Sequence, residues 1–182
     1  LQFASNTEHS LILSTIQQAI SDRTRMIFLS HVEYSFGLRM PIEEISGMAK
    51  LKNIWLMVDG AQGPGHINVD IRKLGCDFYA MPGQKWLLGP DGTGALFIKK
   101  SMIPIVQPDR VSSSAVKDYD HTGFYKPETK EIDKFTLTTT STPLQAGFLE
   151  ALKFITSLGM HSVFSRSAAL ASSLSMGLST IP

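Results

Sequence analysis

The chain has 182 residues, of which 43% are hydrophobic and 18% are charged, so it can bury a sizeable core and wholesale disorder is excluded. Its 17 Lys and Arg against 16 Asp and Glu give a net charge of +1, which argues against a nucleic-acid platform and against a polybasic membrane surface. The single cysteine rules out an internal disulfide and a cysteine-rich metal site, and no apolar run approaches the roughly 20 residues of a membrane-spanning helix. We therefore expect a cytoplasmic α/β protein.

Short apolar runs alternate with helical patterns along the first hundred residues. Residues 26–29, Met-Ile-Phe-Leu, form a continuous apolar run, which predicts a strand buried on both faces. Pro41 opens a predicted helix whose apolar residues recur at positions 42, 45, 48 and 49. Further elements follow in chain order: a strand at 54–58, a short helix from Asp70 to Leu74 that ends at Gly75, and strands at 77–81 and 94–98. This alternation predicts right-handed crossovers and a largely parallel sheet.

The remainder of the chain has a different pattern. Residues 104–142 contain three prolines and a run of threonines, which predicts an irregular excursion with a functional or interface role. Two amphipathic helices are predicted after it, one from Pro143 to Gly159 and one from about His161 to Leu178.

Two ionisable residues follow neighbouring predicted strands. Asp59 comes directly after the second strand, and Lys85 lies four residues past the third. The carboxyl ends of parallel strands line the ligand crevice of such a sheet, so we expect the carboxylate and the amine to point into one crevice. Taken singly, an Asp after a strand is commonly a turn residue and a Lys in such a loop is commonly solvated.

Glycines flank both residues and allow the backbone to approach a ligand closely. Asp59 lies in the segment Val58-Asp59-Gly60-Ala61-Gln62-Gly63-Pro64-Gly65-His66, and Lys85 lies in the glycine-rich segment 83–94. Neither segment has the Gly-x-Gly-x-x-Gly spacing or a Walker pattern, so a nucleotide site of those types is excluded.

A series of motifs in register carries a family resemblance. They are Asp59-Gly60-Ala61-Gln62, His66, Val69-Asp70, Gly75-Cys76-Asp77-Phe78, Gly83-Gln84-Lys85 and Gly89-Pro90-Asp91-Gly92-Thr93-Gly94. Together they resemble the core of the class V aminotransferase family, the pyridoxal-phosphate enzymes that include cysteine desulfurases, selenocysteine lyases and isopenicillin N epimerase-like proteins. The resemblance implies a three-layer α/β/α fold with a mostly parallel sheet, as in the large domain of fold-type I pyridoxal-phosphate-dependent transferases. It also implies that residues 1–142 are part of that cofactor-binding domain, that residues 143–182 lead into a small carboxyl-terminal domain, and that the chain is a fragment of a longer protein.

The resemblance assigns a role to each matching residue. Lys85 would form the Schiff base with pyridoxal 5'-phosphate and would then move protons at the substrate Cα. Asp59 would keep the pyridine nitrogen protonated, and Gln62 would hydrogen-bond the phenolic oxygen of the cofactor. Gln84 would contact the phosphate, and Thr139 would reach the phosphate of a partner copy across a homodimer interface. The implied partners are a small amino-acid substrate and a second copy of the chain, with no metal, nucleic acid or membrane.

Several positions depart from the family pattern or have a second interpretation. Pro82 stands where relatives carry a Ser or Thr that supplies a phosphate hydroxyl, and Tyr34 stands where desulfurase-type members carry Asn. Thr138 replaces a glycine beside Thr139, and the threonine run is equally compatible with a polar strand or loop. Cys76 precedes a strand in an apolar setting, which predicts an inert core thiol rather than a sulfur acceptor.

The sequence thus predicts a pyridoxal-phosphate-dependent transferase or lyase of desulfurase, transaminase or epimerase type, acting on a small amino acid through Lys85. The departures at Pro82 and Tyr34 leave a catalytically silent scaffold of the same fold, kept for assembly with a partner, as the alternative. A generic α/β binding domain for another phosphate ligand would require the register of Asp59 and Lys85 to be a coincidence.

Overall fold

The computed structural model describes residues 8–127, 131–137 and 139–181. Its helices and strands, in chain order, are α1 (His9–Ala19), β1 (Met26–Ser30), α2 (Ile42–Leu51), β2 (Trp55–Asp59), α3 (Ile71–Leu74), β3 (Phe78–Pro82), β4 (Gly94–Ile98), β5 (Val116–Tyr119), β6 (Tyr125–Pro127), α4 (Thr142–Leu158) and α5 (Met160–Leu178). The predicted α/β class is confirmed, and every predicted element is present within one or two residues of its expected bounds. Helix α1 was not predicted, because its buried pattern is limited to Ile12 and Ile16.

The main sheet has the strand order β1-β2-β3-β4. Strands β1, β2 and β3 are parallel, with Ser30 paired to Asp59 and Asp59 paired to Ala80 at their carboxyl ends. Strand β4 is antiparallel to β3. The segment 83–93 between them contains no helix, and such a short connection joins antiparallel neighbours, whereas a parallel pair needs a longer crossover. The sheet is therefore mostly parallel, as predicted, with one reversed strand.

Two apolar clusters lie on opposite faces of this sheet. Leu56 and Val58 of β2 are buried in the larger cluster, together with residues of α1 and α2 such as Ile12 and Ile45. The alternate residue Met57 packs instead against the smaller cluster, which contains Phe78, Ile98 and Met102. This period of two is what a strand with both faces covered requires, because successive side chains point to opposite faces.

Strand β1 differs from its prediction, because it is not buried on both faces. Phe28 is 63% exposed and Met26 is 40% exposed. Strand β1 lies at the edge of the described sheet, beside a cavity of about 890 Å³ lined by α1, β1 and the segment 33–40. A continuous apolar run indicates a strand, but the number of its neighbours depends on the tertiary arrangement.

Short-range contacts account for the ends of the predicted helices. The carboxylate of Asp70 accepts hydrogen bonds from the N–H groups of Arg72 and Lys73 and so caps α3. Gly75 ends this helix in the left-handed conformation, with φ of 67°, as expected for a glycine at this position. In α2, acidic residues lie in the first turn and Lys50 in the last, which is the favourable orientation for the helix dipole.

The predicted excursion contains little regular structure. It includes the antiparallel hairpin of β5 and β6 and 3-10 turns at Ser113–Ala115 and Ile132–Phe135. The Lys134 ammonium is buried, donates to the carbonyl of Ile103 and lies 5.1 Å from the centre of the Phe135 ring. Thr138 lies outside the described residues. None of the helices in the described part of the chain has the length and apolar character needed to cross a bilayer.

Candidate active site

Asp59 lies at the carboxyl end of β2, where the parallel strands open towards the loops that follow them. We call residues 59–66 the Asp59 loop. At its start, Oδ1 of Asp59 accepts a hydrogen bond of 2.8 Å from the N–H of Ala61, which orients the carboxylate. Because this edge of a parallel sheet is where ligand crevices form, the carboxylate occupies a position suited to binding.

Lys85 lies in the loop after β3, residues 83–93, which we call the Lys85 loop. Its carbonyl accepts a hydrogen bond of 3.0 Å from the N–H of Leu88, which closes a tight turn. Leu88 has φ of 60°, a left-handed conformation that is unfavourable for a bulky residue and is seen mainly where the surroundings enforce it. The side chains of Gln84 and Lys85 are exposed, so the amine and the amide are accessible to a ligand.

Trp86 joins the two loops. Its indole Nε1 donates a hydrogen bond of 2.8 Å to Oε1 of Gln62. Its ring stacks on that of His66, with centroids 4.1 Å apart and planes inclined by 25°. The structure thereby brings the Asp59 loop and the Lys85 loop into direct contact. Sequence reasoning missed this role of Trp86, because no local pattern pairs residues 24 positions apart.

A glycine permits this contact. Gly65 has φ of +87°, and a Cβ atom placed on it would lie 2.1 Å from the carbonyl oxygen of Trp86. That distance is far below a van der Waals contact, and the neighbouring atom is backbone that cannot rotate away. Only glycine is therefore compatible with the approach of the two loops.

A buried polar pair lies under the Asp59 loop. Nδ1 of the His31 ring is 2.9 Å from the hydroxyl oxygen of Tyr79. The backbone N–H of His31 donates to the backbone carbonyl of Asp59 at 2.8 Å. Burial, with a smaller contribution from Arg39, lowers the pKa of His31 to about 4, and burial raises the pKa of Tyr79. Both side chains are consequently neutral at pH 7. Sequence reasoning missed this role of His31, because no local pattern pairs residues 48 positions apart.

Helix α4 packs over the Lys85 loop. A Cβ atom on Gly89 would lie 2.5 Å from the ring of Phe148, and one on Gly83 would lie 3.0 Å from it. Thr139 is exposed and lies three residues before α4, and no contact among the described residues gives it a role, so its function across an interface stays a prediction.

The structure also places the residues that depart from the family pattern. Pro82 ends β3 and pairs with Gly94 of β4, and Tyr34 is 82% exposed. Cys76 is 2% exposed, and burial raises the pKa of its thiol to about 11, which confirms a core thiol. Within the described ranges, no three His, Cys, Asp or Glu residues are grouped so that they could hold a metal ion.

The chemistry of the donor set fits the pyridoxal phosphate that the resemblance implies. Asp59 offers a carboxylate for a protonated ring nitrogen, Gln62 an amide for a phenolic oxygen, and Lys85 a primary amine for an aldehyde. These groups lie on two loops that Trp86 brings into contact.

Comparison with known proteins agrees with this geometry. The family model "Aminotransferase class-V" matches residues 2–182. A probable cysteine desulfurase from Xylella fastidiosa is 30% identical over 177 residues, which is 94% of this chain and 41% of that protein. An isopenicillin N epimerase from Streptomyces clavuligerus is 40% identical over 94 residues, 52% of this chain and 24% of the relative.

A solved structure shows the same fold. It is a C-DES mutant with glycine covalently linked to the PLP cofactor, and it superimposes with a TM-score of 0.84 at 26% identity, covering 93% of this chain and 45% of that one. The chain thus spans less than half the length of each of these three relatives. Because the family model extends over nearly every residue, the resemblance drawn from the motifs is confirmed, and the chain belongs to the class V aminotransferase family.

Proposed function

We propose that this chain forms the cofactor-binding part of a pyridoxal-phosphate-dependent enzyme that acts on a small amino acid. The observation that supports the proposal is the contact between the Asp59 loop and the Lys85 loop through Trp86, because these two loops carry the carboxylate of Asp59, the amide of Gln62 and the amine of Lys85. In the proposed organisation, residues 1–142 belong to a large cofactor-binding domain and residues 143–182 lead into a small carboxyl-terminal domain.

The side chains divide the chemistry between them. Lys85 would hold the cofactor through Nζ, and its amine would move protons at the substrate Cα. Asp59 keeps a proton on the ring nitrogen, because a carboxylate next to that nitrogen stabilises its charged form. The bound cofactor supplies an electron sink for bonds at the substrate Cα.

The remaining residues hold the cofactor in place. Gln62 binds the phenolic oxygen, and Gln84 binds the phosphate through a neutral amide that adds a hydrogen bond without adding charge. The hydroxyl of Thr139 would bind the phosphate of a partner copy, so the proposed active unit is a homodimer with shared sites. The relatives that are named cysteine desulfurase and isopenicillin N epimerase support a reaction at the substrate Cα or Cβ of lyase, transferase or epimerase type.

Borohydride trapping tests the proposal. Reduction of the yellow protein fixes the cofactor on the lysine that holds it, and we expect peptide mass spectrometry to place it on Lys85. The variant Lys85→Ala is expected to lose the adduct, whereas Lys52→Ala, which removes an exposed lysine just after α2, is expected to keep it. An adduct on another lysine, or none in the unmodified protein, contradicts the proposal.

A mixing experiment tests the shared site. Lys85→Ala and Thr139→Ala subunits are each expected to be weakly active alone. In a hybrid dimer, one site combines the intact Lys85 of one subunit with the intact Thr139 of the other, so mixing is expected to restore activity. If both residues serve the same subunit's site, the hybrid contains no intact site and mixing restores nothing.

The absence of a hydroxyl at Pro82 favours a second candidate, a scaffold without catalysis that assembles with a partner. Pro82 pairs with Gly94 at the end of β3 and offers no donor to a phosphate. A protein that stays colourless with added cofactor and co-purifies with a defined partner would favour the scaffold. A trapped adduct on Lys85 together with turnover of an amino acid would exclude it.

A further inference from the structure

Trp86 makes a hydrogen bond that determines the orientation of the Gln62 amide. The indole nitrogen has a hydrogen to donate and no lone pair with which to accept a hydrogen bond. The Gln62 atom 2.8 Å from it must therefore be the amide oxygen, as the structure has it. The NH2 group then lies at the other end of the amide, and its two hydrogens are directed away from the indole.

The indole is itself held from two sides. Its ring stacks on His66 at 4.1 Å, and the close approach of Gly65 places the Trp86 backbone against the Asp59 loop. Trp86 is 43% exposed, so burial alone does not immobilise it, and the contacts with His66 and Gly65 define its orientation. Lys85 precedes Trp86 in the chain, so its backbone lies next to these contacts.

We propose that Trp86 is a positioning residue that orients Gln62 as a hydrogen-bond donor to the phenolic oxygen of the cofactor. The inference rests on the proposed function and deepens it. An NH2 group presented in this way stabilises an anionic oxygen, because a hydrogen bond to a charged acceptor is roughly twice as strong as one between neutral groups. Without the indole N–H, the amide is free to present either its oxygen or its NH2 group to the cofactor. Part of the stabilisation of the anionic oxygen is then lost.

The first test uses Trp86→Phe, which keeps an aromatic ring to stack on His66 and removes the donor. We expect the cofactor dissociation constant of the full protein to rise about tenfold, which corresponds to the loss of one ordinary hydrogen bond. The pH at which the absorbance of the Lys85-bound cofactor changes is expected to move upwards, because its phenolic oxygen loses a donor. Trp55→Phe is the matched control, since Trp55 packs on Phe78 in the sheet, and it is expected to leave both quantities unchanged.

A double substitution separates action through Gln62 from a general structural effect. In a Gln62→Leu background, Trp86→Phe is expected to have little further effect, because the amide that it orients is already gone. Additive effects of the two substitutions would overturn the inference. Equal cofactor affinity and an equal pH midpoint in Trp86→Phe and the unmodified protein would overturn it as well.

The third measurement does not depend on turnover. In a nitrogen-15 spectrum of the tryptophan indoles, Gln62→Leu is expected to shift the Trp86 signal, assigned by its loss in Trp86→Phe, and to leave the Trp55 signal in place. An unchanged Trp86 signal would contradict the hydrogen bond. The Trp86 signal could still shift in Gln62→Leu although the unmodified protein binds no cofactor. That result would contradict the proposed function and the cofactor contact of Gln62, but it would support the hydrogen bond between Trp86 and Gln62.

Discussion

Nδ1 of His31 lies 2.9 Å from the hydroxyl oxygen of Tyr79, and this buried pair supports the Asp59 loop from below. A Cβ atom on Gly60 would lie 2.0 Å from the Tyr79 ring, and one on Gly63 would lie 2.7 Å from its hydroxyl, so the loop rests directly on the tyrosine. The position of Asp59 is thereby tied to two residues that need not touch a ligand themselves.

The stability of the protein is expected to fall in mild acid because of His31. Its pKa is lowered from 6.5 to about 4 in the folded protein, so between these values the unfolded chain binds a proton that the folded chain does not. The stabilisation is complete above pH 6.5 and is lost as the pH falls to 4, a change of about 3 kcal/mol in the free energy of unfolding. Urea denaturation across this range measures it. His31→Gln keeps a hydrogen-bond partner for Tyr79 and is expected to make the free energy of unfolding nearly independent of pH across this range. An equally steep pH dependence in that variant would show that His31 is not its cause.

Asp59→Asn is expected to reduce activity without unfolding the protein. The Asn oxygen still accepts the hydrogen bond from Ala61, but the charge that we propose keeps the ring nitrogen protonated is gone. We expect kcat/KM to fall by at least about a hundredfold while the free energy of unfolding changes by less than about 1 kcal/mol. Steady-state kinetics and urea denaturation of the same preparation provide the two measurements. Retention of most of the activity would remove Asp59 from the proposed site.

The close approach of the loops at Gly65 makes this position intolerant of any side chain. Gly65→Ala places a Cβ atom against the Trp86 carbonyl in addition to straining a positive φ. Gly37→Ala is the matched control, because Gly37 has φ of +70° and no atom within 4 Å of the added Cβ. We expect Gly37→Ala to cost about 1 kcal/mol and Gly65→Ala at least about 2 kcal/mol more in unfolding free energy. Equal costs would show that the loop contact contributes little.

Asp77 lies directly before β3 and has two hydrogen-bond partners. We expect these partners to contribute unequally to the free energy of unfolding. Its carboxylate accepts from the buried N–H of Leu56 at 3.0 Å and from the Lys99 ammonium at 3.1 Å. Asp77→Ala leaves the Leu56 N–H without a partner and is expected to cost about 2 to 3 kcal/mol. Lys99→Met is expected to cost less than about 1 kcal/mol, because the Lys99 side chain is 44% exposed. Thermal or urea denaturation of both variants measures the difference, and a larger cost for Lys99→Met would reverse this ranking.

The thiol of Cys76 is expected to resist modification. It is buried, and its pKa is raised to about 11, so at pH 8 little thiolate is present and reagents have no access to it. We expect the peptide that contains Cys76 to remain unlabelled by iodoacetamide in the folded protein and to be labelled in urea. Cys76→Ala is expected to retain activity, and its inactivity despite normal folding would point to a role in the reaction.

The strands and helices that carry the site were predictable from local patterns. The strand predicted directly before Asp59 and the helix end predicted at Gly75 each depend only on neighbours in the chain. The structure has the strand at Trp55–Asp59 and the end of α3 at Gly75. Strand β1 was identified correctly, but its exposure was not, because the pairing of an edge strand depends on residues distant in sequence.

The sequence by itself determined the family and predicted the residue types of the proposed site, because its motifs lie in a fixed register along the chain. Only the tertiary structure decided how these residues are held. The hydrogen bond from Trp86 to Gln62 and the pair of His31 and Tyr79 join residues 24 and 48 positions apart, and no local period relates them. Such contacts arise when parallel strands bring their carboxyl ends together, so they follow from the pairing of β1, β2 and β3 rather than from any segment alone.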